Sequence, residues 1–264
     1  GRARSKHCRT ILYWNHCATL DKTRTQIFVI QLVHIDSFSS GTLPNLRILS
    51  LYNNSISAVR GRALAAAPAL LLLDASHNRL APAAEQFSAA PRLRQLRLAA
   101  NGLRALPPAV FRGTQLELLD LSDNRLAVFP GSALAHVGGT LRRLDLARNR
   151  LEHLDAAMFR ATASLHELNL SQNALTVLAD NTFSSLSRLT RLDLSRNAIK
   201  SNFRELFHNL PSLRWLSLAD ADLPAVPPMP LPNLTQLDLG GNRIASYREA
   251  DVRWLSNLRH LDVA

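Results

Sequence analysis

Two His-Cys pairs, His7-Cys8 and His16-Cys17, are the first residues in this 264-residue chain whose types could do chemistry, because thiolates and imidazoles both ligate zinc. Neighbouring residues seldom reach one ion together with good geometry, and this spacing matches no finger pattern, so no metal is expected. Catalysis has no constellation either. The nine histidines are scattered, no serine stands in a G-x-S-x-G elbow, and no G-x-x-x-x-G-K-[ST] loop is present. The chain therefore reads as a non-enzyme with no cofactor and no small-molecule substrate. What remains is a set of charged and aromatic side chains at regular steps: Arg143, Asp145, Glu167, Arg191, Asp193 and Trp215. Trp, Arg and paired charges are the side chains that dominate protein interfaces.

The regular steps come from leucines. The phrase L-x-x-L-x-L-x-x-N-x-L, with a large apolar residue following, begins at Leu46, Leu70, Leu93, Leu116, Leu141, Leu165, Leu189, Leu213, Leu234 and Leu258. Within L-x-x-L-x-L the second and third leucines are two apart, so both fall on one face of a short strand and the residue between them faces water. One such turn cannot bury its leucines alone; stacked turns can, with parallel strands about 5 Å apart. That stacking produces solvent-facing columns. The residue between the paired leucines gives an acidic stripe: Asp74, Asp120, Asp145, Asp193, Asp238 and Asp262, with Asn169 and Ser217 among them. Two residues earlier on each strand, the same face carries Arg143, Glu167, Arg191 and Trp215 on four consecutive turns. Arg143 should lie beside Asp145 and Arg191 beside Asp193, offsetting the repulsion between Asp120 and Asp145.

A second column is polar and inward. Asn54, Asn78, Asn101, Asn124, Asn149, Asn173, Asn197 and Asn242 keep the step, and Ala221 breaks it. An Asn amide both donates and accepts, which suits it to backbone groups left unpaired where a strand turns into the core. Phe87, Phe111, Phe159, Phe183 and Phe207 follow on the convex side, with Leu64, Leu134 and Val252 as substitutes. Five prolines between Pro224 and Pro232 exclude helix there and favour an extended return.

The pattern resembles the 24-residue typical class of leucine-rich repeats, found mainly in extracellular proteins, with Leu168-Asn169-Leu170-Ser171-Gln172-Asn173-Ala174-Leu175 through Phe183 as a good specimen. Toll-type receptor ectodomains and chaoptin-type adhesion proteins are similar to it. The resemblance implies an α/β solenoid, a horseshoe with a parallel inner sheet and little regular helix outside. It implies an extracellular protein-recognition module of a cell-surface adhesion or innate-immune receptor, with an intracellular repeat scaffold in signalling as the alternative. Residues 1–43 are expected to form an N-terminal cap containing an edge strand within Ile27–Val33, and residues 44–264 an array of about ten repeats. The array stops in mid-repeat, so a fragment is expected, with any membrane anchor outside it. Cys8 and Cys17 are assigned as a disulfide in the cap, free thiols being the alternative.

Net charge is +11, with 28 Arg against 3 Lys. Nucleic acid is not the expected partner, because only 6% of residues are aromatic and a nucleic-acid groove interleaves aromatics with its basic stripe. A protein ligand or a homophilic contact is. Asn53, Asn169 and Asn233 head N-x-[ST] acceptor sequences and are the glycosylation candidates.

Overall fold

The computed structural model describes residues 42–59, 61–246 and 252–264, with the backbone of three strands at Ile11–Leu12, Gln26–Val29 and His34–Ile35. These three are β1, β2 and β3. Next come β4 (Ile48–Ser50), β5 (Ala58–Val59), β6 (Leu72–Asp74), β7 (Gln95–Arg97), β8 (Leu118–Asp120) and β9 (Arg143–Asp145). The series closes with β10 (Glu167–Asn169), β11 (Arg191–Asp193), β12 (Trp215–Ser217), β13 (Gln236–Asp238) and β14 (His260–Asp262). Twelve of these form one parallel sheet in chain order, β1 and β2 continuing the repeat strands; β3 and β5 make a separate pair. The strand expected within Ile27–Val33 lies at Gln26–Val29, but it is not an edge, because β1 and β4 pair with it on either side.

Each three-residue strand from β4 to β13 buries its central leucine and leaves its two neighbours facing the concave side, and in β14 Leu261 is half-buried. Leu49, Leu73, Leu96, Leu119, Leu144, Leu168, Leu192, Leu216 and Leu237 are all 2% exposed or less. Burial of each contributes about 1.5 to 3 kcal/mol, and the column repeats without interruption. Among the described residues the convex side holds short helices of four or five residues, α1 (Gly61–Ala65), α2 (Gly131–Leu134), α3 (Ala156–Phe159) and α4 (Phe203–Leu206), and a 3-10 turn at Arg160–Thr162. The solenoid with little regular helix is as expected. Phe87, Phe111, Phe159, Phe183 and Phe207 are buried beneath this side. Where Leu134 interrupts their column, Phe129 supplies the ring instead, 4.8 Å from Phe159 between centroids.

The turn after each strand is held from within by the asparagine column. Asn124 is representative: its Nδ2 donates to the Leu121 and Ser122 carbonyls of its own repeat and to Leu98 of the preceding one, all within 3.0 Å. Its Oδ1 accepts from the amides of Asn101 and Leu103, again in the preceding repeat. The residue before each ladder position is left-handed: Asn53, His77, Ala100, Asp123, Arg148, Gln172, Arg196 and Asp220 have φ between 52° and 56°, and Gly241 has 67°. Their amides carry the hydrogen-bond ladder beyond the strands, as in Arg148 N to Ser171 O at 2.9 Å.

Among the departures from the 24-residue step are one of 25, from Leu116 to Leu141, and one of 21, from Leu213 to Leu234. The longer one accommodates its extra residue at Gly138, where a Cβ would run into the Ala161 carbonyl of the next repeat. The shorter one takes the proline-rich return without helix, a tight turn closing from Leu231 N to Met229 O at 2.9 Å, with Met229 and Leu231 each 1% exposed. The sheet passes through unbroken, Trp215 pairing with Gln236. At Ala221 the ladder lacks one amide. An asparagine there would accept from the Ile199 N–H, as Asn197 accepts from Leu175 N. Ala221→Asn is therefore expected to raise stability by about 1 kcal/mol in equilibrium unfolding; a loss of stability would show that the turn has closed around the methyl group.

Candidate functional site

On the concave face, parallel register sets Arg143, Glu167, Arg191 and Trp215 side by side on β9 to β12. Two direct contacts link the row. Arg143 Nε forms an ion pair with Glu167 Oε1 at 3.0 Å, and the Arg191 guanidinium carbon lies 3.5 Å from the centroid of the Trp215 ring. The expected same-strand pairs, Arg143 with Asp145 and Arg191 with Asp193, are not the ones that form. A neighbour in register on the next strand is about 4.8 Å away, nearer than a residue two along the same strand at about 6.6 Å.

The aspartates are occupied elsewhere. Asp145 Oδ1 accepts from Ala147 N at 2.9 Å and its Oδ2 from Asn169 Nδ2 at 3.1 Å. Asp193 Oδ1 accepts from both the amide and the hydroxyl of Ser195, at 3.0 and 2.7 Å. Asp74, Asp120, Asp238 and Asp262 each take the amide two residues on in the same way. This is the Asx turn, in which a short carboxylate or amide side chain satisfies a backbone N–H at a bend. The acidic stripe is thus part of the turn machinery first, and its frequent Leu-Asp-Leu-Ser spelling has a physical cause.

Burial pushes the Asp145 carboxyl above the usual carboxylate range, and Asp120 on the adjoining strand adds to the rise; the Ala147 amide, Asn169 and Arg148 pull it back. The compensating guanidinium is thus Arg148, on the strand-exit turn, in place of Arg143. Arg148 also binds Asp123 through two hydrogen bonds at 2.5 and 2.6 Å, and that hydrogen bonding holds the Asp123 carboxyl below its ordinary value. Between these columns lies a shallow depression of about 320 Å³, lined by Arg97, Asp120, Arg143, Asp145, Glu167 and Arg191 among others. Arg97, 3.8 Å from Asp74, belongs to this wall and was not singled out by the sequence, since it stands alone in a column of aspartates.

Asn53 is exposed, and its side chain has no hydrogen-bond partner among the described residues. Asn169 is half-buried, its amide donating to Asp145 and accepting from Ser171. Asn233 is exposed and donates to Pro211 O at 2.9 Å. Cys8 and Cys17 lie outside the described residues. Among the described residues no group of three His, Cys, Asp or Glu side chains could hold a metal ion, and no helix is long and apolar enough to cross a membrane.

Stacked parallel turns with a leucine column, an asparagine ladder and a concave charged sheet define a leucine-lined β-solenoid. The leucine rich repeat family model matches residues 30–80, 91–138, 139–199 and 163–223, and a second leucine rich repeat model matches residues 231–246. This chain belongs to the leucine-rich repeat family. Adenylate cyclase of Podospora anserina is 33% identical over 107 residues, 40% of this chain and 5% of that protein. Transforming growth factor beta activator LRRC33 of Danio rerio is 28% identical over 157 residues, 56% of this chain and 22% of that protein. The chain thus spans under a quarter of the length of either relative. The crystal structure of a TLR13–ssRNA13 complex superposes with a TM-score of 0.77 at 26% identity, covering 91% of this chain and 36% of that one.

Ionising Asp145 opposes folding, because its carboxyl is raised; the cost is present at neutral pH and disappears as pH falls through the raised value. Asp145→Asn keeps an oxygen for Ala147 N, as Asn169 does for Ser171. The amide loses the Asn169 Nδ2 bond at every pH, so what chemical denaturation should find is its stability relative to the parent rising by about 0.5 kcal/mol from pH 4 to pH 7. A relative stability independent of pH would contradict this electrostatic account.

Proposed function

We propose that this chain is a recognition module of a cell-surface or secreted receptor, of adhesion or innate-immune type, that binds a protein through its inner wall. The observation that carries the reading is the Arg191–Trp215 stack. An indole and a guanidinium held against each other on a solvent-facing sheet are the two side chains most enriched in binding hot spots. Each holds the other in place, which reduces the side-chain freedom lost on association. Glu167 and Arg143 continue the row as a charged rim, and Asp145 and Asp193 support it by holding the turns beneath. The names of the matched relatives support a receptor setting: one is an activator of transforming growth factor beta, and TLR13 is a structural neighbour. TLR13 is seen with single-stranded RNA. Protein is favoured on this inner wall because its row has one aromatic, already covered by Arg191, where a single-stranded nucleic acid would need open rings for its bases.

Secretion would bring the acceptor sequences into play. Asn53 is exposed and unengaged and is the proposed glycan site; Asn169 and Asn233 spend their amides on neighbours. Peptide mapping of protein secreted from a mammalian line should find glycan on Asn53 and none on Asn169; a glycan on Asn169 would cover the row and overturn the reading. The decisive experiment is a binding screen against a panel of purified cell-surface ectodomains. For the partner found, Trp215→Ala should weaken binding at least 30-fold (about 2 kcal/mol) with the melting temperature retained, and Val177→Ser, at a residue 65% exposed away from the inner wall, should not. Binding indifferent to Trp215→Ala would sink the proposal.

A further inference from the structure

A second depression lies on the edge of the array where the strands begin. It has a volume of about 370 Å³ and is lined by His166, Arg188, Thr190, Ser212, Arg214 and Asn233, with no carboxylate among its walls. Arg188 and Arg214 are exposed, and neither has an ion-pair partner among the described residues. Some arginines elsewhere hold acids: Arg94, Arg112, Arg148, Arg196 and Arg243 each meet a carboxylate.

The contrast is sharpest within one column. From Leu93 onward the residue after each leading leucine reads Arg94, Glu117, Arg142, His166, Thr190, Arg214, Thr235, Arg259. Where it contains a carboxylate, that carboxylate is used, Arg94 to Glu117 at 2.7 Å. From Arg142 onward it contains none. At about 4.8 Å per strand, Arg142, Arg214 and Arg259 are spaced roughly 14 and 10 Å apart along this edge. Arg142 Nη1 is pinned by the Gly139 and Ser164 carbonyls at 3.3 and 3.2 Å. His166 Nδ1 meets the Ser164 carbonyl at 2.9 Å; a carbonyl only accepts, so Nδ1 donates and Nε2 remains for another partner. The edge therefore presents an ordered row of unneutralised cations interspersed with hydroxyls.

We propose that this edge binds a linear sulfated polysaccharide, with Arg188 and Arg214 gripping one sulfate ester in the depression and Arg142 and Arg259 meeting others along the chain. A guanidinium fork matches a tetrahedral oxyanion through paired N–H donors. A row at strand spacing suits a polymer that tracks the edge. Nucleic acid is disfavoured because no Phe, Tyr or Trp side chain lines the depression to stack a base. This surface is separate from the inner wall and stands whether or not the Arg191–Trp215 row binds a protein.

The test measures binding of the purified chain to a heparin-derived oligosaccharide of defined length, to its desulfated counterpart, and to a single-stranded RNA oligomer. The sulfated sugar should bind with a steep salt dependence and the desulfated sugar should not. Arg188→Ala/Arg214→Ala should weaken that binding at least tenfold with an unchanged melting curve, since both residues are exposed. Arg125→Ala/Arg150→Ala removes the same charge from the opposite edge and should stay within twofold of the parent. Equal losses in the two double variants would reduce the effect to net charge and overturn the site. RNA binding as tight as that of the sulfated sugar, with the same dependence on Arg188 and Arg214, would also overturn it in favour of a nucleic-acid ligand. So would a glycan on Asn233, which would cover the depression.

Discussion

The constraint on which this molecule depends is the bend at the end of each strand. Leucines supply the driving force, but they can be buried only if the backbone turns inward every 24 residues or so without leaving polar groups unpaired, and each orphaned group would cost about 1 to 3 kcal/mol. Three devices meet at that bend. A buried asparagine satisfies it from inside, an aspartate, asparagine or serine of the concave column satisfies it from outside, and a left-handed residue between them reverses the chain. Left-handed backbone is unfavourable for most side chains, so the hydrogen bonds on both sides must over-determine it.

This division of labour decides which inner-wall residues are available for recognition. The column with Asp120, Asp145 and Asp193 is committed to the turns, and its carboxylates are held by backbone amides before any partner arrives. The column two residues earlier has no such duty. Its occupants vary from Ile48 and Leu72 to Gln95, Arg143, Glu167 and Trp215, and they interact only with one another across strands. Opposite perturbations of two nearby acids reflect the same partition: Asp145, sunk in the wall beside Asp120, is raised, and Asp123, hydrogen-bonded to Arg148, is lowered.

The leucine and asparagine columns were legible in the sequence because each depends on one residue type at one step, and a periodic signal survives one failure such as Ala221. The strand register followed directly, and with it the adjacency of Arg143, Glu167, Arg191 and Trp215. Pairing within that row was less legible, since Arg191 has an aspartate two residues away and a tryptophan 24 residues away, and only geometry ranks the second nearer. The role of the aspartates was hidden because Leu-Asp-Leu-Ser describes a hydrated surface as well as a turn. The left-handed column left no trace, because it is filled by Asn, His, Ala, Asp, Arg and Gln, with glycine only at Gly241. The basic edge was diluted in a net charge of +11, where unneutralised arginines look no different from those such as Arg94 that already hold an acid.

The asparagine ladder also has a direction. Asn78 serves Leu51 and Ile56, Asn124 serves Leu98 and Leu103, and Asn197 serves Leu170 and Leu175, so each amide completes the coil that was synthesised before it. A coil leaving the ribosome thus waits for its successor to seal it, and ordered structure should trail translation by one repeat, growing like a zip drawn from the N-terminal end.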